Sequence, residues 1–401
     1  MTKRAVLGPV DLSRALKLIG GMRSRLFESL NTEEIDSSLS AGRRLASDAI
    51  AQVSSPPYDT CTMDGYALSS SDQYPVKVVK RAFAGEGPTS LKAGEAAYVT
   101  TGARLPAGAD AVMRVEDARV EGDLLSGPAL KPGNFVLRSG SDFRKSETLI
   151  KAGVLVTPAA VGVLQAAAAS PVRVFKTISV AVVTTGDEIV SGDIRDSNGP
   201  VICALLRSWG CEPHRIGPVR DDPGLIREAI QAASSQHDLV ITVGGVSAGD
   251  RDFVKKVAEE DGEIVFRRVK LKPGMPLTAA YFGDVPLISL PGKPAGSFVG
   301  MMVFVRRLLL GDRPKPAILM PLCCDVSFPK GGDFEYLVFV ELKDGHACPV
   351  GYSCSSLELL EGTEYSTSLI SAASRSLLAD GYYIARENLR KEDIVNIVLL
   401  S

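Results

Sequence analysis

Histidine is scarce in this chain of 401 residues. There are three, His214, His237 and His346, and no two stand at a metal-ligand spacing. A zinc site built on imidazole and a histidine-based catalytic triad are therefore not expected. Seven cysteines, Cys61, Cys203, Cys211, Cys323, Cys324, Cys348 and Cys354, include no C-x-x-C pair, and their number is odd. The N-terminus has no apolar core before Asp11 that could act as an export signal, so these cysteines read as reduced, mostly buried thiols of a cytoplasmic protein. Long hydrophobic runs are missing: the longest, 161–169 and 298–305, fall far short of the ~20 residues that span a bilayer. An excess of either charge is missing too. Lys and Arg number 45 and Asp and Glu 47, a formal net charge of −2, which provides no global field to hold nucleic acid or an anionic membrane. Any catalysis must then rest on carboxylates, Lys/Arg, Ser/Thr and backbone groups.

What is present is an ordinary folded composition, 45% hydrophobic and 23% charged, at a length that predicts two to four domains. Gly (38) and Pro (24) are mildly in excess. Residues 11–53 read as helical: Asp11 caps a run ended by Gly20-Gly21, and a second helical pattern covers 40–51. Residues 54–140 are punctuated by Gly and Pro around short strands at 76–79, 97–100 and 111–115, a β-rich insert. Residues 141–175 return to an extended segment and an Ala-rich helix that begins near Pro158. From 176 to 313 strands and helices alternate. The apolar run 178–183 opens this region, and Asp222 followed by Pro223 caps one of its helices. Alternation of this kind implies an α/β fold with a mostly parallel sheet covered on both faces. Residues 314–401 are β-rich again and read as a separate C-terminal domain. The expected layout is thus 1–53 with 141–175, 54–140, 176–313 and 314–401.

In an open parallel sheet, ligands bind at the carboxyl ends of the strands. Here those ends read Thr184-Thr185-Gly186-Asp187-Glu188, Arg220-Asp221-Asp222, the segment 244–252, Lys272-Pro273-Gly274 and Leu290-Pro291-Gly292-Lys293-Pro294. The first two also fit a turn and a helix cap. The third, with Gly244, Gly245, Ser247 and Gly249, offers backbone N–H groups to an anion, although it is neither a Rossmann nor a P-loop fingerprint. Side-chain alternation along 266–272 puts Arg268, Lys270 and Lys272 on one face. That is the pattern of a multiply charged anion site or of a solvated edge strand. Glu188, Asp221, Asp250 and Asp252 lie on the same rim, and carboxylates beside phosphates suggest Mg²⁺, with Glu188, Asp250 and Asp252 as its ligands. The site reads as one for a phosphorylated ligand and a metal, with no covalent nucleophile.

These motifs, together with Asp196-Ser197-Asn198, resemble in the same order those of the molybdopterin molybdenumtransferases, the MoeA and gephyrin E-domain family. The β-rich insert resembles it too. Met63-Asp64-Gly65-Tyr66-Ala67 matches the M-D-G-Y-A signature, and Thr101-Gly102 with 105–112 matches T-G-x-x-x-P-x-G-x-D-A-V. Gly140-Ser141-Asp142 and Ala379-Asp380-Gly381 resemble two further segments.

The resemblance implies an elongated, four-domain homodimer with a molybdopterin-binding α/β domain. It implies an enzyme that inserts molybdate into adenylylated molybdopterin and releases AMP with Mg²⁺ assisting, and it allows a molybdopterin adenylyltransferase as a protein partner. Position by position, Glu188, Asp221, Asp252, Arg268, Lys272, Pro291 and Pro294 would line the site, with Asp64 and Thr101 arriving from the other subunit. The implied catalytic set is Asp64, Glu188, Asp252 and Lys272; Lys270 and Lys293 join the substrate-binding set. The sequence departs from the family pattern in three places. Met275 replaces the second Lys of K-P-G-K-P. Lys293 replaces the Asn of L-P-G-N-P-V-S, followed by Ala295-Gly296. Arg268 stands where many members have Lys. One cation is lost and one gained on the same rim, which reads as compensation or as a specialised or impaired paralogue. An adenylyltransferase and a non-catalytic scaffold are the competing functions.

Overall fold

Alternation along the strand Ser179–Thr185 builds two cores at once. Val180 and Val182 pack with Ile202 and Leu206 of the helix Asn198–Ser208 on one face. Ala181 and Val183 pack with Ile226 and Ile230 of the helix Pro223–Gln236 on the other. A strand apolar on both faces is stable only as the interior of a covered sheet. The computed structural model, which describes residues 8–245, 253–329 and 333–400, places it in that position. Its six-stranded sheet has the order Glu212–Val219, Ser179–Thr185, Leu239–Val243, Val285–Leu290, Thr278–Phe282, Glu263–Arg267. The first four strands are parallel, and Thr278–Phe282 pairs antiparallel with both Val285–Leu290 and Glu263–Arg267. The Asp222 cap forms as the sequence indicates, with Asp222 Oδ1 accepting from Leu225 N at 2.9 Å and Pro223 opening the helix.

The chain divides into two units, Asn31–Lys176 and the remainder. In the larger unit, the N-terminal helix Leu12–Ser29 belongs to the α/β core, not with residues 31–53 as expected from the sequence. Leu12, Ala15, Ile19, Met22 and Leu26 form its buried stripe. The helix also runs straight through Gly20-Gly21. Each glycine costs about 1 kcal/mol in a helix, whereas burying Ile19, Met22 and Leu26 stabilises by roughly 1.5–3 kcal/mol each, so the stripe wins. The Asp11 side chain makes no cap bond and pairs with Lys270.

A second sheet in this unit has the order Leu271–Lys272, Glu335–Lys343, Gly381–Ala385, Ile394–Leu399, Ala317–Pro321, with His346–Pro349 paired to Glu335–Lys343. The β-rich composition of residues 314–401 predicts a separate domain. In the structure Leu337, Phe339, Tyr382 and Ile397 belong to the same continuous core as Val180 and Phe304, and Phe298 and Phe339 meet with ring centroids 6.3 Å apart. The helical run that joins the two sheets comprises Pro294–Gly300, a π-helical turn Met301–Val305 and Arg306–Leu310.

In the smaller unit, a six-stranded sheet runs Ala111–Arg114, Gly65–Leu68, Glu95–Val99, Val76–Ala82, Leu124–Ser126, Arg119–Glu121. Residues 31–53 and 141–175 share another core around Leu45, Phe143, Leu164 and Val174. The helix expected over 40–51 is absent. Leu45 N donates to Val154 O (3.0 Å) and Ala46 N to Arg173 O (2.8 Å), so the segment lies extended and its backbone is satisfied by neighbours instead of by its own turns. No helix among the described residues is long and apolar enough to cross a membrane.

The shared core makes a checkable prediction. Phe339→Ala should cost about 3–5 kcal/mol and speed amide exchange in Ser179–Thr185 as well as in the C-terminal sheet. Hydrogen exchange read by mass spectrometry decides this: acceleration confined to 314–400 would mean that the two sheets fold independently.

Candidate active site

The carboxyl ends of the strands Ser179–Thr185, Leu239–Val243 and Val285–Leu290 open into a cavity of about 700 Å³. Their side chains are committed to the two cores, so polar groups collect only where the strands end. Thr184, Thr185, Gly186 and Glu188 come from the end of Ser179–Thr185, Asp221 from beyond the neighbouring strand Glu212–Val219, Gly244 and Gly245 from the end of Leu239–Val243, and Pro291, Gly292 and Lys293 from the end of Val285–Leu290. Lys272, Pro273, Gly274 and Met275 form another wall.

Glycine is required at Gly244. Its φ is 94°, and a Cβ there would stand 2.5 Å from the Thr185 carbonyl oxygen. Thr185 is 2% exposed, and its Oγ1 has no hydrogen-bond partner among the described residues. Lys272 lies with Nζ 3.9 Å from the Phe334 ring centroid and 6.0 Å from that of Tyr336. This contact holds a flexible cation in one place.

Of the residues singled out in the sequence, Glu188, Asp221, Gly244, Gly245, Lys272, Pro291 and Lys293 meet at this cavity. Pro294 does not line it; it is the first residue of the following helix, and its carbonyl accepts from Ser297 Oγ at 3.0 Å. Ser247, Gly249, Asp250 and Asp252 lie outside the described residues. Arg268 and Lys270 do not share a strand face with Lys272. The strand ends at Arg267, the backbone reverses at Arg268 with φ 56°, and Leu271–Lys272 joins the other sheet. Arg268 is exposed. Lys270 pairs with Asp11 (3.0 Å) and Asp333 (3.1 Å), contacts that raise its pKa above the ordinary lysine value.

In the smaller unit, Asp64 and Thr101 are direct partners. Thr101 N and Oγ1 both donate to Asp64 Oδ1, at 2.6 and 2.8 Å. The backbone donor and then the hydroxyl hold the Asp64 carboxyl below its usual range. The neighbouring Gly65 has no room for a side chain, because its Cβ would collide with the Met113 carbonyl of the adjacent strand.

Two family descriptions match the chain: the MoeA N-terminal region (domain I and II) over residues 10–168 and a probable molybdopterin binding domain over residues 181–311. The molybdopterin molybdenumtransferase of Haemophilus influenzae is 32% identical over 308 residues, which covers 72% of this chain and 75% of that protein. Its counterpart in a Nostoc species is 34% identical over 315 residues, covering 73% and 72%. This chain belongs to the molybdopterin molybdenumtransferase family. A solved MoeA protein of molybdopterin biosynthesis from Pyrococcus horikoshii agrees over 98% of this chain and 100% of its own, with a TM-score of 0.74 at 28% identity.

In this member of the family, several site residues escaped the reading from strand ends. Asn198 lines the cavity and braces its rim: Nδ2 donates to Gly292 O (2.7 Å), and Oδ1 accepts from the buried Ser297 hydroxyl (3.0 Å). Asp196 ties three elements together by accepting from Thr184 Oγ1, Gly199 N and Arg215 Nη2. The D-S-N motif was the available signal for both. Thr367, Ser368 and Ser371 reach the cavity from the C-terminal region, and no local pattern marks them. Met275 and Lys293, two of the departures from the family pattern, line the same cavity.

Thr101→Val removes the hydroxyl donor and leaves the backbone one. The Asp64 pKa should rise toward the ordinary value near ~3.9, so the carboxylate protonates at a higher pH than in the parent. Carboxyl-carbon NMR titration reads this directly, and an unmoved Asp64 would show that the hydroxyl does not tune it.

Proposed function

We propose that the cavity binds adenylylated molybdopterin and molybdate, that molybdate enters the dithiolene there, and that AMP is released. Membership of the family supports molybdenum cofactor biosynthesis. The observation that carries the finer reading is the charge on the cavity wall. Among the described lining residues, Lys272 and Lys293 stand against Glu188 and Asp221, which leaves the wall close to neutral. Glu188 and Asp221 are hard oxygen donors, and Mg²⁺ is commonly held by one or two carboxylates plus substrate phosphates. The donor set therefore fits Mg²⁺. Bound there, it would supply positive charge against the pyrophosphate link and the molybdate dianion.

The side chains then divide the work. Lys272, fixed over Phe334, presents a localised cation to an anionic oxygen. Gly244 and Gly245 let the ligand reach the backbone. Asn198 holds Gly292 and thereby the loop that carries Lys293. Thr185, on the same wall, has a hydroxyl with no hydrogen-bond partner among the described residues, for a polar ligand atom. Asp64, kept ionised by Thr101, accepts a proton or orients water, and it comes from a second copy of the chain in a homodimer with shared sites.

The test mixes the purified chain with adenylylated molybdopterin, Mg²⁺ and molybdate and follows AMP. Lys272→Ala and Asp64→Asn should each lower the rate on the order of 100-fold. Co-refolding the two inactive variants should restore about a quarter of the parental rate, because a random dimer pairs one intact site with one doubly altered site. Activity in either variant alone removes that residue from the site, and a mixture that stays inactive removes the shared-subunit arrangement.

Met275 and Lys293 on one cavity support compensation: the cation lost at the first position returns at the second. Lys293→Asn should weaken molybdate binding, and adding Met275→Lys should recover part of it, as measured by calorimetry. Equal affinity in all three proteins would sink the compensation.

A further inference from the structure

Four of the seven cysteines converge in the C-terminal part of the larger unit. Leu322 bridges Ala347, and Cys323 N donates to Ala347 O at 3.1 Å. These contacts fasten the Cys323-Cys324 pair against the strand His346–Pro349, which carries Cys348. The chain then turns through Gly351, at φ 104°. The Ser355 hydroxyl closes the turn by accepting from Gly351 N (3.1 Å) and donating to Tyr352 O (2.9 Å), with Cys354 inside it. The Sγ atoms of Cys323, Cys348 and Cys354 all lie within 4.8 Å of one another, and Cys324 Sγ is 3.7 Å from Cys354 Sγ.

Packing alone gives little reason for four thiols here, since S–H is a weak donor and sulfur a weak acceptor. The spacing has a better explanation. Tetrahedral coordination with Zn–S bonds of about 2.3 Å sets sulfur atoms about 3.8 Å apart, a spacing that the Cys323, Cys348 and Cys354 Sγ atoms, all within 4.8 Å of one another, can reach with small side-chain adjustments. A disulfide would need about 2.05 Å. We infer that Cys323, Cys348 and Cys354, whose Sγ atoms are mutually close, hold a soft divalent ion, Zn²⁺ by the chemistry of its donors, and that Cys324, in contact with Cys354, turns in as the fourth ligand of a tetrahedral site. Four protein ligands leave no open position, so the site is structural: it ties the Cys323-Cys324 segment, the hairpin and the following turn together.

The surroundings suit the charge. Burial, reinforced by neighbouring thiols, pushes Cys324 up to about 12 and raises Cys323 and Cys348 as well. Without a cation these groups stay protonated, and a bound divalent ion displaces their protons. Lys343, held in an ion pair with Glu341, is also near enough to Cys348 to favour its thiolate. The Tyr383 hydroxyl, in the electrostatic reach of Cys323 and Cys324, is buried with no hydrogen-bond partner among the described residues, and it offers a donor toward a thiolate shell. None of the four cysteines lines the cavity, so the inference stands apart from the molybdenum-transfer reading.

The full chain, stripped of metal under reducing, anaerobic conditions, is titrated with Co²⁺ and then with Zn²⁺. About one Co²⁺ per chain should bind with the intense visible bands and thiolate charge-transfer absorption of a tetrahedral sulfur site, and one equivalent of Zn²⁺ should bleach them. Cys354→Ser, at a half-buried position, and Cys348→Ser should each weaken Zn²⁺ binding more than about 100-fold, while Cys203→Ser should leave it unchanged. The inference is overturned if a chain with all thiols free gives no tetrahedral cobalt spectrum. It is equally overturned if the Cys348 and Cys354 variants bind like the parent, or if intact mass shows a Cys324–Cys354 disulfide in anaerobically purified protein.

Discussion

Everything in the larger unit depends on burying both faces of the strand Ser179–Thr185. Its side chains feed one core toward Asn198–Ser208 and another toward Pro223–Gln236. A sheet covered on both sides has no polar face to spare. Groups that bind a charged ligand can then appear only beyond the strand ends, and the cavity with Glu188, Gly244 and Lys293 occupies that position.

The second sheet extends the same constraint. It shares its core with the first through Phe298, Phe304 and Phe339, and it contributes to the rim. The change of sheet between Arg267 and Leu271 is decisive: the positive φ at Arg268 ends one strand, and Leu271 and Lys272 then pair with Glu335 and Tyr336. That pairing turns Lys272 into the cavity and over Phe334, whereas Lys270 is neutralised by Asp11 and Asp333. Three cations at alternate positions in the sequence thus acquire three different surroundings.

The strand-end motifs were legible because each is local. A Gly-rich or Pro-rich break after an apolar run marks a strand end wherever the strand packs, and TTGDE, Gly244-Gly245, KPG and LPGK all reach the cavity. The Asp222 cap was legible for the same reason. The reading failed where a distant partner decides the outcome. Residues 40–51 have helical spacing, but Val154 and Arg173 take their hydrogen bonds. Gly20-Gly21 looked like a helix end, but the buried stripe outweighs the glycines. Thr367, Ser368 and Ser371 left no trace, since they are remote in sequence from every other cavity residue.

By itself, the amino-acid sequence determined the βα alternation, the positions of the strand ends, the motifs that carry the family resemblance and the types of charge available to the site. Those properties depend on short-range periodicity and on the conformational limits of single residues. Tertiary structure decided which charges face the cavity, that the two sheets of the larger unit share one core, and that four cysteines without a metal-binding spacing lie together. Such outcomes depend on pairings between segments far apart in the chain, whose free energy resides in a common core and not in any local pattern.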